Sequence, residues 1–446
     1  MHLIIHRGTR EIGGSCVEVQ AGDNRILLDF GMPLKDNSGF DFDDRCLEGK
    51  TLNALIEKKV LYDIKGLYRG FPHSVDAVFI SHSHKDHYGF LSYVNPEIPV
   101  YLSEGAYELI RALSVFLPES KGTRIDNPMF LKDRREISVG GLSVTPYLVD
   151  HSGFNAMGFF IKEKVSGKTM LYTGDFRAGG WTRKRYYAFL KKPLGSVDYL
   201  LMEGTMIERE GGEYPDEKAV VQGVAKAIRE SGNTVIPVYC SGQNIDRIVS
   251  LYKAARITKS LLVVDPYTAY MLRVVGEMTG TTPEVEWNSI RVFIANYGKG
   301  DIYVNKISES DRKEIIETLG RKKIKIYDFA RLRKKSLLLM RNTMVPVVEK
   351  IPQIQDSTLI YSQWKGYIEK DKLGAKKFWE FVKRKSLKVE HIHTSGHATL
   401  EKLKEFAKKV NAKHIVPIHT EHPDKFREHF GNTVMRYADG QCFEIN

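Results

Sequence analysis

Short apolar runs separated by turn residues open the chain. Residues 3–6, 16–19 and 25–30 read as strands, with Gly13-Gly14 in the first turn and Asp29 and Gly31 closing the third, the pattern of an antiparallel start. A polar stretch over 35–50 reads as a loop, and 52–61 as a helix. The apolar run Asp76-Ala77-Val78-Phe79-Ile80 then reads as a strand that stops abruptly at Ser81. Strand 99–102, helix 105–116 and strand 142–149 follow, and strands 157–162 and 169–173 are joined at Ser166-Gly167 as a hairpin.

From about residue 198 the texture changes. Apolar strand patterns at 199–202, 234–239, 261–264, 323–327 and 358–361 alternate with helical periodicity at 216–230, 244–255, 267–279, 308–319 and 370–383. Such alternation predicts a parallel sheet covered by helices, hence a second domain. A strand over 387–393, a helix over 400–410 and a strand over 414–418 lead back. There is no internal repeat and no low-complexity segment.

The strand ending at Ile80 delivers Ser81-His82-Ser83-His84-Lys85-Asp86-His87-Tyr88-Gly89, three imidazoles and a carboxylate in six positions of a chain with 14 histidines. Imidazole nitrogen and carboxylate oxygen suit zinc, and a strand end holds such a loop still enough to coordinate it. Four later strands also end in ligand-type residues: Asp150-His151-Ser152, Thr173-Gly174-Asp175, Thr394-Ser395-Gly396-His397-Ala398 and Pro417-Ile418-His419-Thr420-Glu421. Each alone reads as an ordinary structural histidine or aspartate. Together they predict one shared site. A further turn, Cys240-Ser241-Gly242-Gln243-Asn244, follows a strand and opens a helix, which would aim backbone N–H groups at a phosphate; an ordinary β-to-α turn has the same pattern.

At 446 residues the chain has the length of two or three domains. Its formal net charge of +12 favours a polyanionic partner. The basic runs Arg321-Lys322-Lys323, Arg331-Leu332-Arg333-Lys334-Lys335 and Lys383-Arg384-Lys385 shift that expectation toward nucleic acid. Cys16, Cys46, Cys240 and Cys442 are scattered, which suggests neither a disulfide framework nor a thiolate metal site and fits a reducing cytoplasm. The N-terminal apolar run is too short for a signal peptide, and no run of 18 apolar residues exists, so no membrane span is expected.

The order His-x-His-x-Asp-His, later His, Gly-Asp, last His resembles the metallo-β-lactamase superfamily. Glu-Ile-Gly-Gly-Ser-Cys near the start, Thr-Ser-Gly-His-Ala and Pro-Ile-His-Thr-Glu resemble its β-CASP nuclease branch, the ribonuclease J and polyadenylation-type cleavage nucleases, from about residue 5 to about 425. The resemblance implies an α/β fold, a metallo-β-lactamase αββα sandwich with an inserted parallel-sheet β-CASP domain. The implied divisions are 1–204 and 386–446 for the sandwich and 205–385 for the insertion. It also implies one zinc on His82, His84 and His151, a second on Asp86, His87 and His419, and Asp175 bridging. Manganese is accommodated by the same ligands. Two such ions about 3.5–4 Å apart can share a hydroxide and clamp a phosphorus during in-line displacement.

Asp86, Glu203 and His397 are then the implied catalytic residues, with His397 contacting the scissile phosphate or protonating the leaving oxygen and Glu203 orienting it. The acidic motif departs from the ribonuclease J pattern in reading Met-Glu-Gly-Thr, with Glu for Asp. Ser241, Gln243, Asn244, Arg247, Ser395 and Gly396 are expected to line the RNA cleft. The expected activity is metal-dependent hydrolysis of RNA, as endonuclease, 5′–3′ exonuclease or both, by a monomer or homodimer. A ribonuclease J-type C-terminal domain is expected to be missing. The competing readings are action on DNA, hydrolysis of a small ester or thioester, and an inactive metal-bound RNA scaffold.

Overall fold

In the strand Tyr199–Glu203, Tyr199 and Leu201 enter one buried apolar cluster while Leu200 and Met202 enter another on the opposite face. Successive side chains of a strand point to opposite sides, so a strand buried on both faces reads as an unbroken apolar run. The computed structural model describes residues 1–117, 121–191, 195–209, 212–284, 286–294, 296–297, 300–301, 309, 313, 317, 322–369 and 374–445.

Two sheets pack face to face. The first runs, edge to edge, Cys442–Glu444, His2–Arg7, Cys16–Ala21, Asn24–Leu28, Ala77–Phe79, Val100–Ser103 and Pro128–Leu131. The second runs His414–Ile418, Tyr199–Glu203, Thr169–Tyr172, Met157–Glu163, Leu142–Leu148 and Ile137–Val139. Leu3, Val17, Phe79, Phe159, Tyr172, Leu201 and Val416 fill the space between them. Helices Leu52–Glu57 and Glu104–Val115 cover the outer face of the first sheet, and Lys184–Lys191, Leu400–Val410 and Pro423–Phe430 that of the second. This is the αββα sandwich. As expected, the first three strands are antiparallel, and Met157–Glu163 and Thr169–Tyr172 form a hairpin.

A third sheet, parallel throughout, has the order Lys323–Ile324, Ile290–Phe293, Leu261–Val264, Ser336–Met340, Val235–Tyr239, Thr358–Tyr361 and Lys388–His391. Helices Glu217–Glu230, Ile245–Ile257 and Pro266–Thr279 pack one apolar cluster on it. Helix Glu104–Val115 of the sandwich adds Leu109 and Ala112 to that cluster, and Phe116 meets Tyr267 edge-on at 5.3 Å. Because Lys388–His391 pairs with Thr358–Tyr361, we place the chain's return to the sandwich after His391 rather than at 386.

Several elements differ from expectation. The strand expected at 323–327 shortens to Lys323–Ile324 and gives way to a 3-10 turn over Ile326–Arg331. Strands Pro128–Leu131, Ile137–Val139, Ile290–Phe293, Ser336–Met340 and Cys442–Glu444 and helices Lys184–Lys191 and Pro423–Phe430 were not expected. These are short, and Ser336–Met340 directly follows the basic run at 331–335. That run is not all surface: Lys335 Nζ donates to the carbonyls of Ile228 (2.8 Å) and Ser231 (2.5 Å), closing a helix end. Of the helix expected at 308–319 only residues 309, 313 and 317 are described, and Arg321 and residues 370–373 of the helix expected at 370–383 lie outside the described residues; the described part of the latter is Ala375–Arg384. No helix among the described residues is long and apolar enough to cross a membrane.

Candidate metal centre

The histidine loop is seated by the first thirty residues. Ser15 N–H donates to the Asp86 carbonyl (3.1 Å), Phe30 N–H to that of His87 (2.8 Å) and Met32 N–H to that of Lys85 (3.0 Å). Gly31 lies so close to the Asp86 carbonyl that a Cβ would overlap it, so the approach requires glycine. The loop turns through a single helical turn, Lys85–Tyr88, which brings Asp86 and His87 round to His82 and His84.

The other contributors arrive from neighbouring strand ends. His151 follows Leu142–Leu148, Asp175 follows Thr169–Tyr172, and His419 follows His414–Ile418. His82, His84, His151 and Asp175 form one group and Asp86, His87 and His419 a second, the donor atoms of each lying within 4.8 Å of one another. His84 Nδ1 is 2.9 Å from His82 Nε2 and 3.1 Å from His151 Nε2. Asp175 reaches both groups: Oδ2 is 3.7 Å from His82 Nε2 and 3.2 Å from His87 Nε2, and Oδ1 is 3.6 Å from His419 Nδ1. His419 Nε2 is 3.2 Å from Asp86 Oδ2.

A second layer holds these rings. The buried Asp29 carboxylate accepts from His87 Nδ1 (2.7 Å), Ser81 Oγ (2.8 Å), the Ser81 N–H (2.7 Å) and the Tyr172 hydroxyl (2.6 Å). The Gly396 carbonyl accepts from His151 Nδ1 at 2.6 Å, and Thr205 Oγ1 is 2.9 Å from His419 Nδ1. Asp29 (φ 58°) and His419 (φ 50°) both adopt the left-handed conformation, which costs a non-glycine residue about 1–3 kcal/mol and concentrates at functional sites. Neither Asp29 nor Thr205 is among the site residues expected from sequence. Asp29 carried the signal applied elsewhere, an acid at the end of an apolar strand; Thr205 carried none. Asp29→Asn is expected to weaken metal affinity about 10- to 100-fold, read by competition with a chelating dye. Unchanged affinity would reduce Asp29 to a structural acid.

Burial, reinforced by neighbouring rings, holds the pKa of His82 and His151 well below the ordinary value, and burial brings His84 down to about 4. Neutral imidazole is the form a metal binds. Burial also opposes a charge on His87, but Asp175, Asp29 and Asp86 outweigh it and raise its pKa. His87 Nε2 and Asp175 Oδ1 are buried with no hydrogen-bond partner. Orphaned polar atoms of this kind are costly unless something else satisfies them. The donor set and the orphans fit divalent cations.

Glu203 is fully buried, accepting from the N–H groups of Thr205 (3.0 Å) and Ala398 (3.3 Å), and so ties its strand to the 394–398 loop. His397 Nδ1 lies 3.4 Å from Glu203 Oε1 and 3.8 Å from Asp175 Oδ2 without a hydrogen bond. Burial works against its charge, yet Glu203 and Asp175 hold its pKa above the ordinary value.

The RNA-contact residues expected from sequence divide. Ser395 accepts from His397 N–H through Oγ (3.0 Å) and from Arg177 Nη1 through its carbonyl (3.0 Å), and Gly396 orients His151, so both stand at the centre. Asn244 caps helix Ile245–Ile257 by accepting from Arg247 N–H at 3.0 Å, and Ser241 Oγ accepts from Gln243 N–H at 3.2 Å; that turn uses its own side chains on its amides. Arg247 is corrected. It is fully buried, donating to both Glu217 oxygens (3.1 Å each), to the carbonyls of Ser362 (2.9 Å) and Thr394 (3.1 Å) and to Ser362 Oγ, so it has no face for a nucleic acid.

Residues 63–234 match the model of a β-lactamase superfamily domain, and residues 383–435 that of a Zn-dependent metallo-hydrolase RNA specificity domain. The transcription termination factor FttA of Methanothermobacter thermautotrophicus is 23% identical over 448 residues, 91% of this chain and 64% of that protein. The chain therefore spans just under two thirds of that relative's length. Ribonuclease J 2 of Streptococcus pyogenes is 23% identical over 434 residues, 95% of this chain and 70% of that one. A solved protein of unknown function from Enterococcus faecalis V583 superposes with a TM-score of 0.76 at 22% identity over 99% of both chains, a likeness of fold. With both family models matched, the chain belongs to the metallo-β-lactamase superfamily, in its β-CASP branch of ribonuclease J-like proteins.

Proposed function

We propose that the protein is a metal-dependent ribonuclease whose two ions share Asp175. The observation that carries this reading is the Asp175 carboxylate within 4 Å of donors from both ligand groups, with His397 Nδ1 3.8 Å from Oδ2. Divalent ions held there would activate water and neutralise charge on the phosphodiester. The ligands divide into His82, His84 and His151 for one ion and Asp86, His87 and His419 for the other; zinc suits both, and manganese is the alternative.

The protein's own part begins with His397. Its ring is partly exposed, and Glu203 and Asp175 raise its pKa and so favour the protonated ring, which can hold a non-bridging oxygen of the phosphate or give its proton to the leaving oxygen. Glu203, bound to the Ala398 N–H, fixes the loop that carries it. RNA is favoured as substrate by the net charge of +12, by the RNA specificity match over 383–435 and by the names of the relatives.

Metal-loaded protein should cleave labelled RNA, leaving DNA and a generic ester intact, and His84→Ala should be inactive. Turnover of the ester with RNA left intact would overturn the reading. Cleavage of circular RNA would establish endonucleolytic action, whereas dependence on a 5′-monophosphate in linear RNA would establish action from that end.

A further inference from the structure

Two aromatic side chains stand open beside the Asp86–His87–His419 group. Trp364 is 39% exposed and Tyr367 55% exposed, and their rings meet edge to face at 5.4 Å. Scattered exposed aromatics need no explanation. These two are held in place. The Tyr361 hydroxyl donates to the Trp364 carbonyl (3.2 Å), and Trp379 Nε1 donates to the Ile368 carbonyl (2.8 Å), pinning both ends of the 3-10 turn Lys365–Ile368.

The Arg209 guanidinium lies over the Trp364 ring, 4.3 Å from its centroid, and Nη2 is 3.3 Å from Glu421 Oε2. Glu421 in turn meets Lys35 Nζ at 2.5 Å and stands two residues beyond His419. Opposite, the loop carrying Lys35 folds back on itself through the Lys35–Asp41 bridge and exposes Leu34 and Phe40. Leu34 sits against Gly13 at the side chain of Asp86. Asp86 and Asp41 are also near enough to act on the Tyr367 hydroxyl, whose pKa burial and these charges raise. The aromatic corner and this loop thus flank the same ligand group. Arg209 occupies one face of the indole and Gly366 backs its six-membered ring, which leaves Tyr367 the more open surface.

We propose that Tyr367 and Trp364, braced by Arg209, form a corner on which one unpaired base of the RNA strand stacks, next to the phosphodiester presented to Asp86, His87 and His419. The inference rests on the ribonuclease reading and extends it to substrate form. Every base offers a π-face, so such a corner is tolerant of sequence, but a base inside a duplex cannot reach it. It selects single strands.

The test is the affinity of metal-loaded protein for a cleavage-resistant phosphorothioate oligoribonucleotide, single-stranded and as a duplex, with thermal melts confirming that each variant folds. Tyr367→Ala and Trp364→Ala are expected to weaken single-strand binding about tenfold each and to leave duplex binding unchanged, while Tyr367→Phe stays within about twofold of wild type. Undiminished single-strand binding by Tyr367→Ala overturns the corner, as does an equal loss in Tyr367→Phe, which would assign the effect to the hydroxyl. If the wild-type protein neither binds nor cleaves RNA, the ribonuclease reading falls and takes the corner with it. If it cleaves RNA and the variants bind normally, the corner alone falls.

Discussion

Asp175→Asn is expected to lower RNA hydrolysis by about a thousandfold or more, with bound metal falling from about two ions per chain to one or none. The substitution keeps the shape of the side chain and removes its charge. Asp175 is 2% exposed, and its two oxygens face His82 and His87 on one side and His419 on the other. Loss of one carboxylate therefore disturbs both ligand groups at once. Removing a ligand of one group alone, as in His84→Ala, should spare the metal of the other. Elemental analysis beside single-turnover cleavage separates the two cases, and full metal content with full activity in Asp175→Asn would contradict the shared role.

Arg247→Ala is expected to destabilise the fold by about 3–5 kcal/mol, the usual cost of stranding one member of a buried ion pair. Its partner Glu217 is 1% exposed and also faces Arg177 Nη1 at 3.5 Å. Arg177 in turn meets Asp246 at 2.6 Å and donates to the Ser395 carbonyl. These groups join the sandwich, the helix Ile245–Ile257 and the 394–398 loop, so the loss should reach the centre as well as the global stability. Chemical denaturation measures the first and metal affinity the second. A stability change below about 1 kcal/mol would mean that water enters and solvates Glu217.

How much was legible in sequence follows from the same residues. The ligand loops were readable because each metal donor needs a stiff strand behind it, and a strand end followed by His or Asp is a local pattern. Long periodic elements were readable too: Leu400–Val410 and His414–Ile418 fall on their expected bounds. Arg247 was misjudged because an arginine on the first turn of a helix carries no local sign of burial. Its partners Glu217, Ser362 and Thr394 lie 30 to 147 residues away, and only the fold brings them together. Short strands such as Ile290–Phe293 were missed for a related reason: their neighbours in the sheet, not their own four residues, stabilise them.

Trp364 and Tyr367 show the opposite limit. In sequence they are two aromatics flanking Lys365 and Gly366, and nothing local sets them beside His419. The stacking of Arg209, the Arg209–Glu421 pair and the position of Glu421 after the last ligand do so.

The central claim is that one fold gathers two metal-binding groups around a single aspartate. Anomalous diffraction at the zinc edge from crystals grown with zinc tests it most directly. Two peaks are predicted, one among His82, His84 and His151 and one among Asp86, His87 and His419, both within coordination distance of Asp175. A single peak, or two peaks of which one lies away from Asp175, would contradict the account.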